Sequence, residues 1–437
     1  MSKQSRLSRA NPFGWTVGLS TPERRTLGAA FGGWALDAMD VQIFSFVIPT
    51  LIATWGMTRG EAGAIGTAAL VVSAIGGWLA GWLADRYGRV LILQISILWF
   101  AVFTLLSGLA QTVEQLFVAR ALMGLGFGGE WAAGAVLLGE VMRPSLRGRA
   151  LGFMQSGWAV GWALAALGYA LLFSLLPAEQ AWRCLFFVGV APAVLVFFIR
   201  RFVPESKIYL DARKKQQNGS FWEIFQPPLR RVTVLGTLVG MGAQGGYNAL
   251  TTWLPTFLRT ERGLSVLDSS GYLAVLILGS FFGYLSGGSL SDRLGRRLTF
   301  LVFAICAGVI VGTYTLIPFG NGAMLALGFP LGFFGAGVFS GMGPFYTEHF
   351  PTHVRGVGQG FAYNAGRAVG ALFPALVGFL SNKVGLGNAI GIFACVAYGI
   401  MAISAFLLPE AAGNPLDEDP KSPGVADTAG RMIRPSL

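Results

Sequence analysis

Charge is scarce in this chain: 12% of its 437 residues are Asp, Glu, Lys or Arg, about half the roughly 25% usual in soluble domains. With 54% hydrophobic residues and a mean hydropathy of +0.60, that scarcity excludes an ordinary water-soluble fold and points to a membrane. Cysteine and histidine are scarcer still, at three and two residues. Cys184, Cys306 and Cys395 stand singly inside apolar runs without metal-ligand spacing, so neither a metal site nor a disulfide framework is expected. His349 and His353 sit beside Arg355 in a polar loop, where a solvated role and proton transfer are both open. No nucleophile, base or metal cluster gathers near one face, which argues against an embedded enzyme, and no cofactor is expected beyond a coupling proton. Neither polar tail is long enough for the effector domain of a membrane sensor.

What abounds is long apolar runs. Windows of about 20 residues, the length that crosses about 30 Å of hydrocarbon, mark about twelve of them. They span Leu27–Trp55, Ala62–Ala84, Leu91–Leu109, Leu116–Leu138, Ala150–Leu175, Ala181–Phe202, Val232–Leu258, Gly271–Leu290, Thr299–Phe319, Met324–Tyr346, Val357–Leu380 and Ala389–Leu408. Lipid offers exposed backbone no hydrogen-bond partner, so each run is expected to be helical. The first run is too long for a signal-peptide core and ends without a small-residue cleavage site, so it is expected to be retained.

With the N-terminus in the cytoplasm, five of the 32 Lys and Arg fall in outer loops (Arg59, Arg183, Arg259, Arg262, Lys383). Two lie in helices (Arg120, Arg367), and the rest lie inside, as the positive-inside rule requires. The expectation is a multi-pass protein of a bacterial inner membrane, with both termini cytoplasmic. The net charge of +11 then faces anionic lipid; no nucleic-acid partner is expected, and the chain is expected to be monomeric.

The runs pause between Phe202 and Val232, where the chain is polar and basic. This divides it into an N-terminal cytoplasmic segment (1–26), a six-helix bundle (27–203), a central loop (204–231), a second six-helix bundle (232–409) and a tail (410–437) expected to be disordered. The halves repeat. "GWLADRYGR" recurs as "GSLSDRLGR", matching Gly81 with Gly288, Asp85 with Asp292, Gly88 with Gly295 and Arg89 with Arg296, and "EVMRPSLRGRALGF" recurs as "EHFPTHVRGVGQGF". Internal duplication of this kind marks secondary transporters, whose substrate site lies between the halves. Asp85, Arg86, Arg89, Glu140 and Arg147, with Asp292, Arg293, Arg296, Glu348 and Arg355, then form a candidate conformational latch at the inner surface together with Gly81, Gly88 and Gly295. The alternative is a set of solvated loop charges that only set topology.

These loops and "RALMGLGFGG" (Arg120–Gly129) resemble the major facilitator superfamily over essentially the whole membrane domain. The resemblance implies an all-α integral membrane fold of twelve transmembrane helices in two pseudo-symmetric six-helix bundles. Within it, "LDAMD", "GFGGEWAAGA" and "WRCLFFVGVAPAVLVFFIRRFVPES" are similar to the sialate and carboxylate proton symporters, and the Asp-x-x-Asp of the first helix also resembles the aromatic acid symporters. The central segment is a short basic loop, whereas some sialic acid carriers of this type hold two extra helices there; a smaller acid is therefore favoured.

Of the 21 acidic residues, Asp37, Asp40 and Glu130 fall well inside the apolar runs, where a charge costs about 2.5–3.5 kcal/mol at a helix centre and marks a pathway or a pair. Asp37 and Asp40 share a helix face at about 16 and 21 Å from the inner edge. Two carboxylates so close in low dielectric do not both ionise easily, which suits proton uptake. Arg120 lies about 9 Å from the outer edge, level with Asp40, and the resemblance places the first and fourth helices on one cavity, so an Asp40–Arg120 contact is expected, leaving Asp37 as proton carrier. Glu130 is either a second relay site or a partner for its neighbours. Arg367 lies about 18 Å deep, with no acid at its depth in its own half. An unpaired buried guanidinium is expensive and its fork matches a carboxylate, so its partner is the substrate's carboxylate or, in the empty state, Asp37 or Asp40. Tyr363, Asn364, Gln244, Tyr247 and Asn248 offer further polar groups, and Trp131, beside Glu130, is a lesser candidate for the site. The expected function is proton-coupled uptake of a small organic acid by alternating access; proton-antiport export of metabolites or drugs is the alternative.

Overall fold

In the computed structural model the described residues are 14–143, 146–190, 194, 199, 202, 203, 205, 221–227, 229–317, 319–350 and 354–409. The expected tail, most of the central loop and the first part of the N-terminal segment lie outside them. The first half holds α1 (Thr21–Trp55), α2 (Arg59–Tyr87), α3 (Arg89–Leu109), α4 (Val113–Val141), α5 (Arg147–Leu175) and α6 (Ala178–Val188). The second holds α7 (Leu229–Thr260), α8 (Val266–Leu294), α9 (Arg296–Leu316), α10 (Asn321–Gly337), α11 (Phe339–His349), α12 (Arg355–Gly370), α13 (Leu372–Val384) and α14 (Leu386–Leu407).

Local chemistry sets the helix ends. Ser20 and Thr58 open α1 and α2 with capping boxes closed by Glu23 and Glu61, so orphan N–H groups of the first turn are satisfied by side chains. The turns from α2 to α3 and from α8 to α9 pass through Gly88 at φ 112° and Gly295 at φ 85°. A side chain with a Cβ avoids that region, which explains why glycine stands at the same place in both copies of the repeat. The end of the molecule that carries these two turns is called the motif end below.

Small residues let the helices meet at backbone distance, the usual way to pack helices where lipid supplies no hydrophobic drive. A Cβ added at Gly128 of α4 would stand 1.7 Å from the Ser73 carbonyl oxygen of α2, and one at Gly283 of α8 would stand 2.3 Å from the Phe333 carbonyl oxygen of α10.

Two expected single helices are each divided. The tenth breaks at Val338 between α10 and α11, and the eleventh breaks at Ala371 between α12 and α13. In the eleventh, Pro374 has no N–H to give the Gly370 carbonyl, and at the next rung Thr67 of the other half inserts into the ladder: its hydroxyl donates to the Ala371 carbonyl at 2.7 Å and accepts from the Ala375 N–H at 3.3 Å. Among the described residues nine helical stretches are long and apolar enough to cross a membrane. The seventh and eleventh spans are not among them, since α7 carries Gln244 and Asn248, α12 carries Asn364 and Arg367, and the eleventh is broken. The second part of the sixth is only partly described.

The halves meet along α2 and α13 at the end opposite the motif end. There a Cβ on Gly63 would lie 2.7 Å from the Pro374 carbonyl oxygen and one on Gly378 2.5 Å from that of Arg59. Arg259 of α7 adds a polar contact, donating to the Tyr169 hydroxyl of α5 at 2.9 Å.

Candidate functional site

The acids of α1 divide between two partners. Arg120 Nη1 donates to Asp40 Oδ2 at 2.6 Å, both side chains being buried, and the guanidinium also lies over the rings of Phe44 and Phe186 at 5.2 and 5.6 Å. The expected Asp40–Arg120 contact is therefore present, and Asp40 is not the partner of Arg367. Asp37 is fully buried, and neither of its oxygens receives a bond from an N–H or hydroxyl donor. The group facing it within hydrogen-bonding reach is the carboxyl of Glu130. Glu130 is thus brought against Asp37, a juxtaposition that counting residues along two separate helices could not supply.

Arg367 enters from the second half. Its side chain is 3% exposed, yet Nε and Nη1 have no hydrogen-bond partner. Asp37 acts on it electrostatically without an ion pair, and its guanidinium lies over the Phe127 ring of α4, 4.2 Å from the centroid. Burying a guanidinium with two donor nitrogens unpartnered is costly.

One turn earlier on α12, Tyr363 stacks on Trp131 of α4 with centroids 4.2 Å apart and planes 13° from parallel, and its hydroxyl accepts from Gln244 Nε2 at 3.0 Å. Asn364 donates to the Gly360 carbonyl at 3.0 Å and leaves Oδ1 without a partner; that oxygen sits against Gly77, where a Cβ would be 2.9 Å away. Asn248 lines a small cavity with Arg120, Phe127 and Gln42, its Nδ2 also unpartnered. Tyr247 is buried beside Phe339 at 5.5 Å and Trp162 at 6.4 Å. Of the tryptophans, Trp131 belongs to the site, Trp158 packs on Trp34 at 4.8 Å, and Trp162 is core.

At the motif end the expected latch is described in part. Arg296 donates to Glu348 through Nη2 at 2.7 Å and Nε at 3.1 Å, and to the Ser291 hydroxyl at 2.9 Å. This ties α9 to α11 within the second half. Arg293 is exposed. Arg89, the counterpart of Arg296, starts α3, and its backbone N–H and that of Val90 donate to the Glu205 carboxylate at 3.2 Å each. A Cβ on Gly81 would meet nothing within 4 Å. The side chains of Asp85, Arg86, Glu140, Arg147, Asp292 and Arg355 lie outside the described residues, as does His353. His349 bonds the Phe345 carbonyl through Nδ1 at 2.9 Å.

Four participants escaped the sequence reading. Phe127 under Arg367 gave no signal among 34 phenylalanines, and Thr67 gave none. The Glu205 cap at α3 had only the "VPES" turn to mark it. Glu23 also bonds Arg143, with Nε and Nη2 at 2.8 and 2.6 Å; its capping role was legible in "STPE" but this pairing was not.

Two helical bundles enclosing a buried, incompletely satisfied charge cluster at their seam define a membrane carrier. The chain belongs to the Major Facilitator Superfamily, whose family model matches residues 30–374 and 288–434. It is similar to a probable 4-methylmuconolactone transporter of Cupriavidus pinatubonensis, 44% identical over 92% of this chain and 94% of that one. It is also similar to a cis,cis-muconate transport protein of Acinetobacter baylyi, 33% identical over 83% and 89%. In fold it resembles the proton:xylose symporter XylE, with a TM-score of 0.72 at 18% identity, covering 90% of this chain and 98% of that one. It is a multi-pass membrane transporter and not an enzyme.

Proposed function

We propose that the protein imports a small organic acid together with a proton across a bacterial inner membrane, the motif end facing the cytoplasm. The observation that carries this reading is Arg367: a buried guanidinium at the seam of the halves, two donor positions unfilled, opposite a buried acid. A carboxylate is the natural acceptor for either of those positions. The relatives named for a muconolactone and for muconate support an organic acid as that carboxylate's source.

The proton resides on the Asp37–Glu130 carboxyl pair, because Asp40 is committed to Arg120. With the anion aboard and both carboxyls of the Asp37–Glu130 pair protonated, Arg367 is neutralised by substrate and the pair by hydrogen, so the seam carries no net unpaired charge while the bundles rock past each other. With only one aboard, a bare charge must cross the closed intermediate in low dielectric, which is unfavourable. Coupling follows from that difference. Export of a cationic drug is disfavoured by Arg367, which repels such a cargo.

The test is uptake by proteoliposomes of the purified protein under an imposed inside-alkaline gradient, with a panel of benzoate, cis,cis-muconate, adipate and lactate. Uphill accumulation of at least one acid, abolished by a protonophore, is expected. Accumulation of none overturns the reading.

A further inference from the structure

The four flat groups at the seam form a ladder in register. Phe127 and Trp131 are four residues apart on α4, and Tyr363 and Arg367 are four residues apart on α12, so each pair projects from one helix face with about 6 Å between its members. The helices run antiparallel. Arg367 therefore lies over Phe127, and Tyr363 lies over Trp131, both at 4.2 Å. Each contact joins one half of the molecule to the other.

We infer that Trp131 and Tyr363 form a slot for the flat, conjugated body of the substrate, whose carboxylate is held by Arg367; this rests on the organic-acid reading above and names the specificity of that site. The two rings are already nearly parallel, at 13°, and each is held by a polar anchor on its rim. Gln244 Nε2 donates to the Tyr363 hydroxyl at 3.0 Å, and Trp131 Nε1 donates to Gln155 Oε1 at 3.5 Å. A planar ring entering between them keeps full contact on both faces when the walls separate to about 7 Å, two carbon contact distances. A puckered, saturated body touches both walls only at scattered atoms and forfeits much of that contact. One turn away the unpartnered Nε and Nη1 of Arg367 meet the carboxylate of such a molecule. Planarity is selected by the slot, and charge by the arginine.

The same geometry links binding to movement. Because Trp131 belongs to the first half and Tyr363 to the second, insertion of a ring widens the seam by one ring thickness at this level, on the motif-end side of Asp37 and Arg367. Substrate thus replaces the contact that holds this side shut.

The test compares benzoate with cyclohexanecarboxylate, alike in charge and ring size and different in flatness, in proteoliposomes under an inside-alkaline gradient. The wild type is expected to show a KM for benzoate lower by about tenfold or more. Trp131→Leu raises the benzoate KM by about that factor and the cyclohexanecarboxylate KM by much less, so the preference collapses, whereas Trp131→Phe keeps the preference. Tyr363→Leu and Tyr363→Phe repeat the comparison from the opposite wall, should the first variant fail to fold. Equal KM values in the wild type, or a parallel rise for both acids in a variant with unchanged melting temperature, overturn the slot. If both ring acids are refused while adipate or lactate is accumulated, the slot fails and the organic-acid reading stands; if the wild type carries no acid at all, that reading fails and the slot with it.

Discussion

Arg120 and Asp40 make a wholly buried ion pair between α4 and α1, Nη1 to Oδ2 at 2.6 Å, with the two side chains 2% and 0% exposed. Removing one member leaves the other charged and unpaired in low dielectric. Asp40→Asn or Arg120→Gln alone is expected to destabilise the protein by about 3–5 kcal/mol, and the double variant by less than either. Thermal melting in detergent, read by size-exclusion chromatography, checks this; a double variant as unstable as the sum of the singles would contradict it.

Asp37 has no committed cationic partner and faces Glu130. Asp37→Asn is expected to end uphill accumulation driven by a pH gradient while leaving substrate exchange across the membrane measurable by counterflow. Full gradient-driven uptake by this variant would remove Asp37 from the proton path.

Thr67 spans the break in the eleventh helix, donating to Ala371 and accepting from Ala375. Thr67→Val keeps the volume and removes the hydroxyl, which costs about 1 kcal/mol for the bond and more if the freed backbone groups stay unsolvated. Faster amide exchange is expected around residues 371–375, with Thr67→Ser protected like the wild type. Unchanged exchange in Thr67→Val would show that the hydroxyl does not hold the break.

Two glycines separate packing from motif. Gly128→Ala forces a Cβ to within 1.7 Å of the Ser73 carbonyl oxygen, whereas Gly81→Ala places its Cβ where nothing lies within 4 Å. The first is expected to lose most folded protein in expression and gel filtration, and the second to melt like the wild type, although only Gly81 belongs to the repeated loop motif.

Much of the architecture was legible in the sequence, and the reasons are local. Apolar length dictates helices because lipid satisfies no backbone group, and the duplicated loops mark two equivalent bundles. Asp40 and Arg120 could be paired by counting rise per residue, since a spanning helix converts sequence number directly into depth. The breaks at Val338 and Ala371 were not visible, because hydropathy averages over a turn and Pro374 alone does not say that Thr67 of the other half inserts at the next rung.

Rotation about each helix axis was equally hidden. Sequence number sets how deep Glu130, Asp37, Phe127 and Arg367 lie, but which of them face each other depends on how the glycine-lined helices pack, and that is a property of several helices at once. The sequence by itself therefore determined that this protein spans the membrane as two repeated bundles with charges kept at mid-depth. Only the tertiary structure decided that Asp37 turns to Glu130, that Arg367 rests on Phe127 with donors unfilled, and that Trp131 meets Tyr363 face to face, because side-chain facing is fixed by close backbone contacts between segments far apart in the chain.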